Sequence, residues 1–295
     1  MIVIVDTLFW PATLVLSKWV VYISMIVVLG SFYWQHAVGD VFTQRIVLTR
    51  RGLGYAAFAG LVAVAVHFFS QVGMLADDGL QGALSSFMIQ IVWSTGAGDA
   101  TCWRAAGFVL ALLALCIPKQ LSVAKSAEVL LHVAATAALV GAFLFTGHTA
   151  DMSPIFGALL TTHVLIAVWW FGALLPMRKA CRTNSVEVLL PWLVRFGEQA
   201  SVLVSVLVIV GAILAYFIIG SLHNLLFTGY GWLLMAKILT FCAILLLAAR
   251  HKLSLVPSMQ SSHNTQQFVA SLNIEIIVAA ALLLVTAVLT SLVGV

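Results

Sequence analysis

The 295-residue chain is 63% hydrophobic and 8% charged, with a mean hydropathy of +1.13. A soluble domain carries a charged share of about 25%, so a water-soluble globular fold is excluded and the expected class is all-α, a polytopic integral membrane protein. Fourteen Lys and Arg stand against 10 Asp and Glu; in a membrane protein that excess reports orientation, and no nucleic acid partner is indicated.

Crossing a bilayer takes about 20 mostly apolar residues, and eight stretches meet that length. They are approximately Trp10–Trp34, Gly52–Leu75, Thr101–Ile117, Ala127–His148, Ile155–Pro176, Phe196–Gly220, Tyr230–Ala249 and Ile274–Val293. The first has no basic start and no A-x-A-like exit, and it is too long for the apolar core of a signal peptide, so it is read as a retained span. Residues 1–295 are expected to form a single transmembrane domain, an eight-helix bundle.

Loop charge sets the orientation. Arg45, Arg50, Arg51, Lys119, Lys125, Arg178, Lys179, Arg182, Arg195, Arg250 and Lys252 all follow odd-numbered spans, on one side. The opposite loops hold Asp77, Asp78, Asp99 and Asp151. If Lys and Arg mark the cytoplasm, both termini face outward, which in a bacterium is the periplasm. Two connecting segments have helical apolar spacing and are expected to lie along the membrane surface: Asp77–Ala100 outside, with Leu80, Leu84, Phe87, Met88 and Ile91, and Cys181–Arg195 inside. Ser254–Gln267 is polar, contains Pro257 and reads as a loop.

Polar groups within hydrocarbon are costly and are kept there for a ligand, a proton or a partner. Lys18, Arg104 and Lys237 fall in the outer halves of their spans. Snorkelling to the headgroups accounts for Arg104, whereas Lys18 and Lys237 lie deeper. Of eight histidines, His36, His251 and His263 are assigned to the solvated inner side and His223 to the outer loop. His67, His132, His148 and His163 lie within spans and are the ligand candidates.

His67 and His163 each sit eight residues from the outer end of their span, about 12 Å deep at ~1.5 Å per residue. An ion or a haem could meet both if their helices are neighbours. His148 adjoins Asp151 and Met152 at the outer mouth, an imidazole, carboxylate and thioether set suited to copper. His132 and His148 are sixteen residues apart, about 160° around a helix, so they do not serve as one-face axial ligands of two stacked haems. At the inner side Glu198 and Glu275 begin the sixth and eighth spans, where carboxylates stabilise helix N-termini or let a cation leave.

Cys102, Cys116, Cys181 and Cys242 are widely separated, with no C-x-x-C, so neither a disulfide framework nor a zinc site is signalled. The sequence has no G-x-S-x-G, H-E-x-x-H or G-x-x-x-x-G-K-[ST] motif, and no enzymatic or ATP-driven chemistry is expected.

Several motifs occur in a fixed order along the spans: Thr146-Gly147-His148, His163 with Trp169-Trp170 and Gly172-Ala173-Leu174, the run Tyr230-Gly231-Trp232-Leu233-Leu234-Met235-Ala236-Lys237, and Glu275. In these the chain resembles the CopD family of bacterial inner-membrane copper resistance and copper transport proteins, most strongly over residues 127–295. The resemblance implies a multi-pass protein of the bacterial inner membrane, in contact with lipid, that moves a copper ion from periplasm toward cytoplasm. It also implies a separate CopC-type periplasmic copper-binding protein as partner. Carried over residue by residue, it puts weight on His148, His163, Lys237 and Glu275. Val210-Gly211 stands where relatives tend to have Thr-Gly, and Arg250-His251 where Asn-Arg is common. On this reading copper meets His148, Met152 and Asp151 first, then His163 and His67, and leaves past the inner carboxylates. The alternative function is a haem b-binding protein of electron transfer or haem metabolism, ligated by His67 and His163, with the outer-half cations pairing with propionates. A membrane assembly factor is a third class.

Overall fold

The computed structural model describes residues 2–38, 48–118, 124–147, 152–262 and 265–292. Among these, eight helices are long and apolar enough to cross a membrane. They lie within α1 (Ile2–Val38), α2 (Arg50–Ala76), α5 (Gly96–Cys116), α6 (Ala124–Gly141, continued by the 3₁₀ turn Ala142–Phe145), α7 (Pro154–Thr183), α8 (Val186–Ile219), α10 (Gly229–Arg250) and α12 (Gln266–Leu292). Short helices α3 (Gly79–Ala83) and α4 (Ser86–Trp93) join α2 to α5, α9 (Leu222–Phe227) joins α8 to α10, and α11 (Val256–Ser262) precedes α12.

Local chemistry sets several of the ends. The Thr49 hydroxyl accepts from the Gly52 amide at the start of α2, and Thr228 does the same for Gly231 at the start of α10, each satisfying a donor that the first helical turn leaves over. Asp77, at φ 47°, closes α2 in the left-handed conformation.

α1 occupies the centre, packed against α2, α6, α7 and α12, and α12 bridges α1, α7 and α10. In lipid, helices associate by close packing rather than by an apolar driving force, which favours small residues at crossings. The crossing of α1 and α7 depends on such a pair. A Cβ on Gly30 would fall 2.4 Å from the Gly172 Cα, and one on Gly172 would fall 2.5 Å from the Gly30 Cα. Pro176, one turn after Gly172, has no amide hydrogen for the Gly172 carbonyl, so α7 loses one ladder bond at this point. Below the crossing, Trp34 donates to the Trp169 carbonyl at 3.2 Å, and Trp34, Trp169, Trp192 and Phe196 join α1, α7 and α8 in one aromatic cluster. Trp170 points the other way, toward Phe241 of α10. The Trp169-Trp170 and Phe171-Gly172 motifs are thus packing devices.

Three sequence expectations are corrected. Cys181–Arg195 is no separate surface helix: α7 continues to Thr183, and α8 is a single 34-residue helix from Val186, with Leu189, Trp192 and Leu193 buried in the core. Ser254–Gln267 is not a loop over its described part, because α10 passes through a π turn at His251–Leu255 into α11. The outer segment is helical as expected but in two pieces, α3 and α4, with Leu80, Leu84 and Phe87 exposed.

Gly30→Ala or Gly172→Ala is expected to destabilise the fold by about 1–3 kcal/mol through overpacking, read as a lower thermal midpoint in detergent. Gly54→Ala, where an added Cβ meets nothing within 4 Å, is expected to leave the midpoint level or raise it.

Candidate functional site

Among the described residues the bundle encloses four polar groupings built around histidines, two toward the acidic-loop side and two toward the basic-loop side. The first lies between α1, α2 and α12. His67 is 6% exposed. Its Nδ1 is 3.2 Å from the Leu14 carbonyl and 3.3 Å from the Ser17 hydroxyl. Donation from Nδ1–H to the carbonyl fixes the tautomer and leaves the Nε2 lone pair available. Beside it is an open cavity of about 400 Å³, lined by Lys18, His67, Gln71, Met74 and Thr290 among others. His67 and Met74 are seven residues apart on α2, hence on one face. Lys18 Nζ donates to the Thr290 carbonyl at 2.8 Å, which ties α1 to the end of α12.

Arg104 belongs to the same region. It does not snorkel: it is 5% exposed, and its guanidinium lies over the Phe143 ring at 5.9 Å, a cation–π contact that holds the charge inside the bundle. Lys18 and Arg104 both act electrostatically on His67.

The second grouping is His163 on α7 with Lys237 on α10. Lys237 and the Leu207 backbone act on the imidazole, whose Nδ1 is buried without a hydrogen bond. A Cβ on Gly211 would fall 3.0 Å from the His163 Cε1, so Gly211 of α8 provides the ring's space. His67 and His163 therefore have separate neighbours, with α1 packed between α2 and α7. The three outer-half cations divide likewise, Lys18 and Arg104 beside His67 and Lys237 beside His163.

The inner groupings correct the solvated reading of His251 and give His36, which is exposed, an imidazole partner. His251, in the π turn, is buried, with Nδ1 3.1 Å from Glu275 Oε2 and Nε2 2.8 Å from the Ser271 hydroxyl. Glu275 is 1% exposed, and its Oε1 has no hydrogen-bond partner. The second pairs His36 with His132, their Nε2 and Nδ1 3.0 Å apart, with Glu128 beside His132. Sequence reading missed both because each joins residues from different helices. The i, i+4 spacing of Glu128 and His132 was the one available signal.

Met152 is half-buried just ahead of α7. Its expected companions His148 and Asp151, together with His263, lie outside the described residues. Among the described residues, no three His, Cys, Asp or Glu converge as a metal-binding group. Cys102, Cys116, Cys181 and Cys242 are free thiols.

Eight spans with paired imidazoles, carboxylates and cations turned inward define a multi-pass membrane protein with polar sites along its interior. Residues 8–158 match the family described as copper resistance protein D-like, N-terminal domain, and residues 190–289 match copper resistance protein D. The chain belongs to the copper resistance protein D family. No curated protein and no solved structure matches it.

His251→Ala leaves the Glu275 carboxylate buried without its imidazole, and a loss of about 3–5 kcal/mol is expected, measured by unfolding in detergent. Adding Glu275→Gln, which removes the charge, is expected to recover part of that loss.

Proposed function

We propose that this protein carries copper across the bacterial inner membrane from the periplasmic to the cytoplasmic side, without hydrolysing a nucleotide. The observation that carries the reading is the outer cavity. Its imidazole has one nitrogen committed to a backbone carbonyl and the other free, and a thioether lies on the same helix face. Imidazole and thioether together suit copper, and Cu(I) above all. Fixing the ring by hydrogen-bonding its other nitrogen is the usual support for a metal-ligating histidine.

Copper is the cargo on this reading. It arrives through His148, Asp151 and Met152, passes His67 and Met74 or His163, and leaves toward Glu275. Lys18 and Arg104 repel a bare cation, so copper reaches the cavity with an anionic group, such as a carboxylate of the carrier that delivers it. A CopC-type periplasmic copper-binding protein, present as a separate chain, fits that role. His251 shares Glu275 and turns the inner carboxylate into a two-residue station, and the π turn that carries His251 is a helix irregularity often found at functional positions.

Vesicles holding the wild-type protein are expected to accumulate copper faster than empty vesicles. His67→Ala is expected to reduce that rate several-fold, and His67→Ala with His163→Ala to bring it to the empty-vesicle level. Accumulation unchanged in the double variant would remove these histidines from the path.

A further inference from the structure

We infer that His36 and His132, backed by Glu128, form a second metal site, at the inner face of the bundle between α1 and α6, that receives copper as it leaves. The inference rests on the transport reading for the identity of the ion, and on the geometry of this cluster for everything else.

His132 is 5% exposed, in the first half of α6, and its ring is stacked on Phe32 with centroids 3.6 Å apart and planes 17° from parallel. That contact fixes the plane of the imidazole and hence the direction of both nitrogens. Nδ1 faces His36 Nε2 at 3.0 Å. Nε2 is buried without a hydrogen bond and lies 4.0 Å from Glu128 Oε1. Gln35, one residue before His36, donates to the same carboxylate oxygen at 3.4 Å.

The Glu128 carboxylate places a negative charge near the outer nitrogen without hydrogen-bonding it, and the inner nitrogen has a lone pair that can serve a metal. Two imidazole nitrogens bound to one ion at about 2.0–2.1 Å each lie roughly 3.3 Å apart in a tetrahedral arrangement. The observed separation is within a few tenths of an ångström of that span. Loading then requires no proton to leave the pair. His36 shifts its hydrogen from Nε2 to Nδ1, and the two facing lone pairs take the ion in place of the N–H···N hydrogen bond. His132 Nε2 keeps its hydrogen, and the Glu128 carboxylate offsets the added charge.

His36 is exposed, so an ion held here is open to water or to an acceptor thiol on the inner side. Neutral imidazole suits copper and other late divalent ions, whereas magnesium and calcium prefer oxygen. The site is therefore selective by ligand type.

The test uses the purified full-length protein, loaded anaerobically with Cu(I) against a coloured competing chelator. Variants His36→Ala, His132→Ala, Glu128→Gln and His67→Ala are compared with wild type. His36→Ala is the principal variant, because an exposed side chain contributes least to packing, and a monodisperse elution profile verifies its fold. The expected result is the loss of one copper equivalent in His36→Ala and in His132→Ala, with that equivalent kept in His67→Ala. Glu128→Gln is expected to keep the stoichiometry and weaken the affinity of that equivalent, since it removes the negative charge beside the pair. Unchanged stoichiometry and affinity in folded His36→Ala would overturn the site while leaving transport through His67 standing. A wild-type protein that binds no copper would overturn both.

Discussion

The close passage of α1 over α7 at Gly30 and Gly172 is the constraint on which the rest of the bundle depends. Hydrocarbon rewards helix association only through contact, and an added methyl at either position would push the two backbones apart at the crossing. With both glycines in place, α1 reaches the middle of the bundle and packs on α2, α6, α7 and α12. Each polar grouping of α1 then follows from its position there: Ser17 meets His67, Lys18 meets Thr290, and His36 meets His132. The central helix thereby contributes to two of the four interior groupings, near its outer and inner ends.

A membrane bundle that buries ionisable groups must either pair them or give them a cavity. Both solutions occur here. Arg104 lies over an aromatic ring, Lys18 is tied to a backbone carbonyl, and Glu275 has an imidazole on one oxygen. Among the described residues, His132 Nε2, His163 Nδ1, Glu275 Oε1 and the Ser291 hydroxyl are buried without a hydrogen bond. Lys18 and Arg104 stand beside His67, and Lys237 beside His163.

Several family motifs acquire structural explanations. Trp169 and Trp170 diverge to opposite neighbours, and Gly172 with Pro176 builds the crossing and its missing ladder bond. The Tyr230-Gly231-Trp232 segment begins α10 under the Thr228 cap, with Gly231 pressed against the carbonyls of α9. Gly211 gives His163 room. These residues are at their positions for shape.

What the sequence by itself determined is the membrane class and the eight spans. These follow from hydropathy and from the length a helix needs to cross a bilayer, and both are local along the chain. It also singled out His67, His163, Lys18, Lys237 and Glu275, because an ionisable group in an apolar run is conspicuous without any partner. The tertiary structure alone decided which groups meet. Depth matching let His67 and His163 share an ion or a haem if their helices were neighbours, and α1, packed against both α2 and α7, gives each a different environment. His36 and His251 read as solvated because they follow apolar runs near basic loops. His251 is buried because the α10 helix continues through a π turn, and His36, though exposed, faces an imidazole on α6. Azimuth around a helix, and the identity of its neighbour, depend on how eight spans pack together, and no single span carries that information.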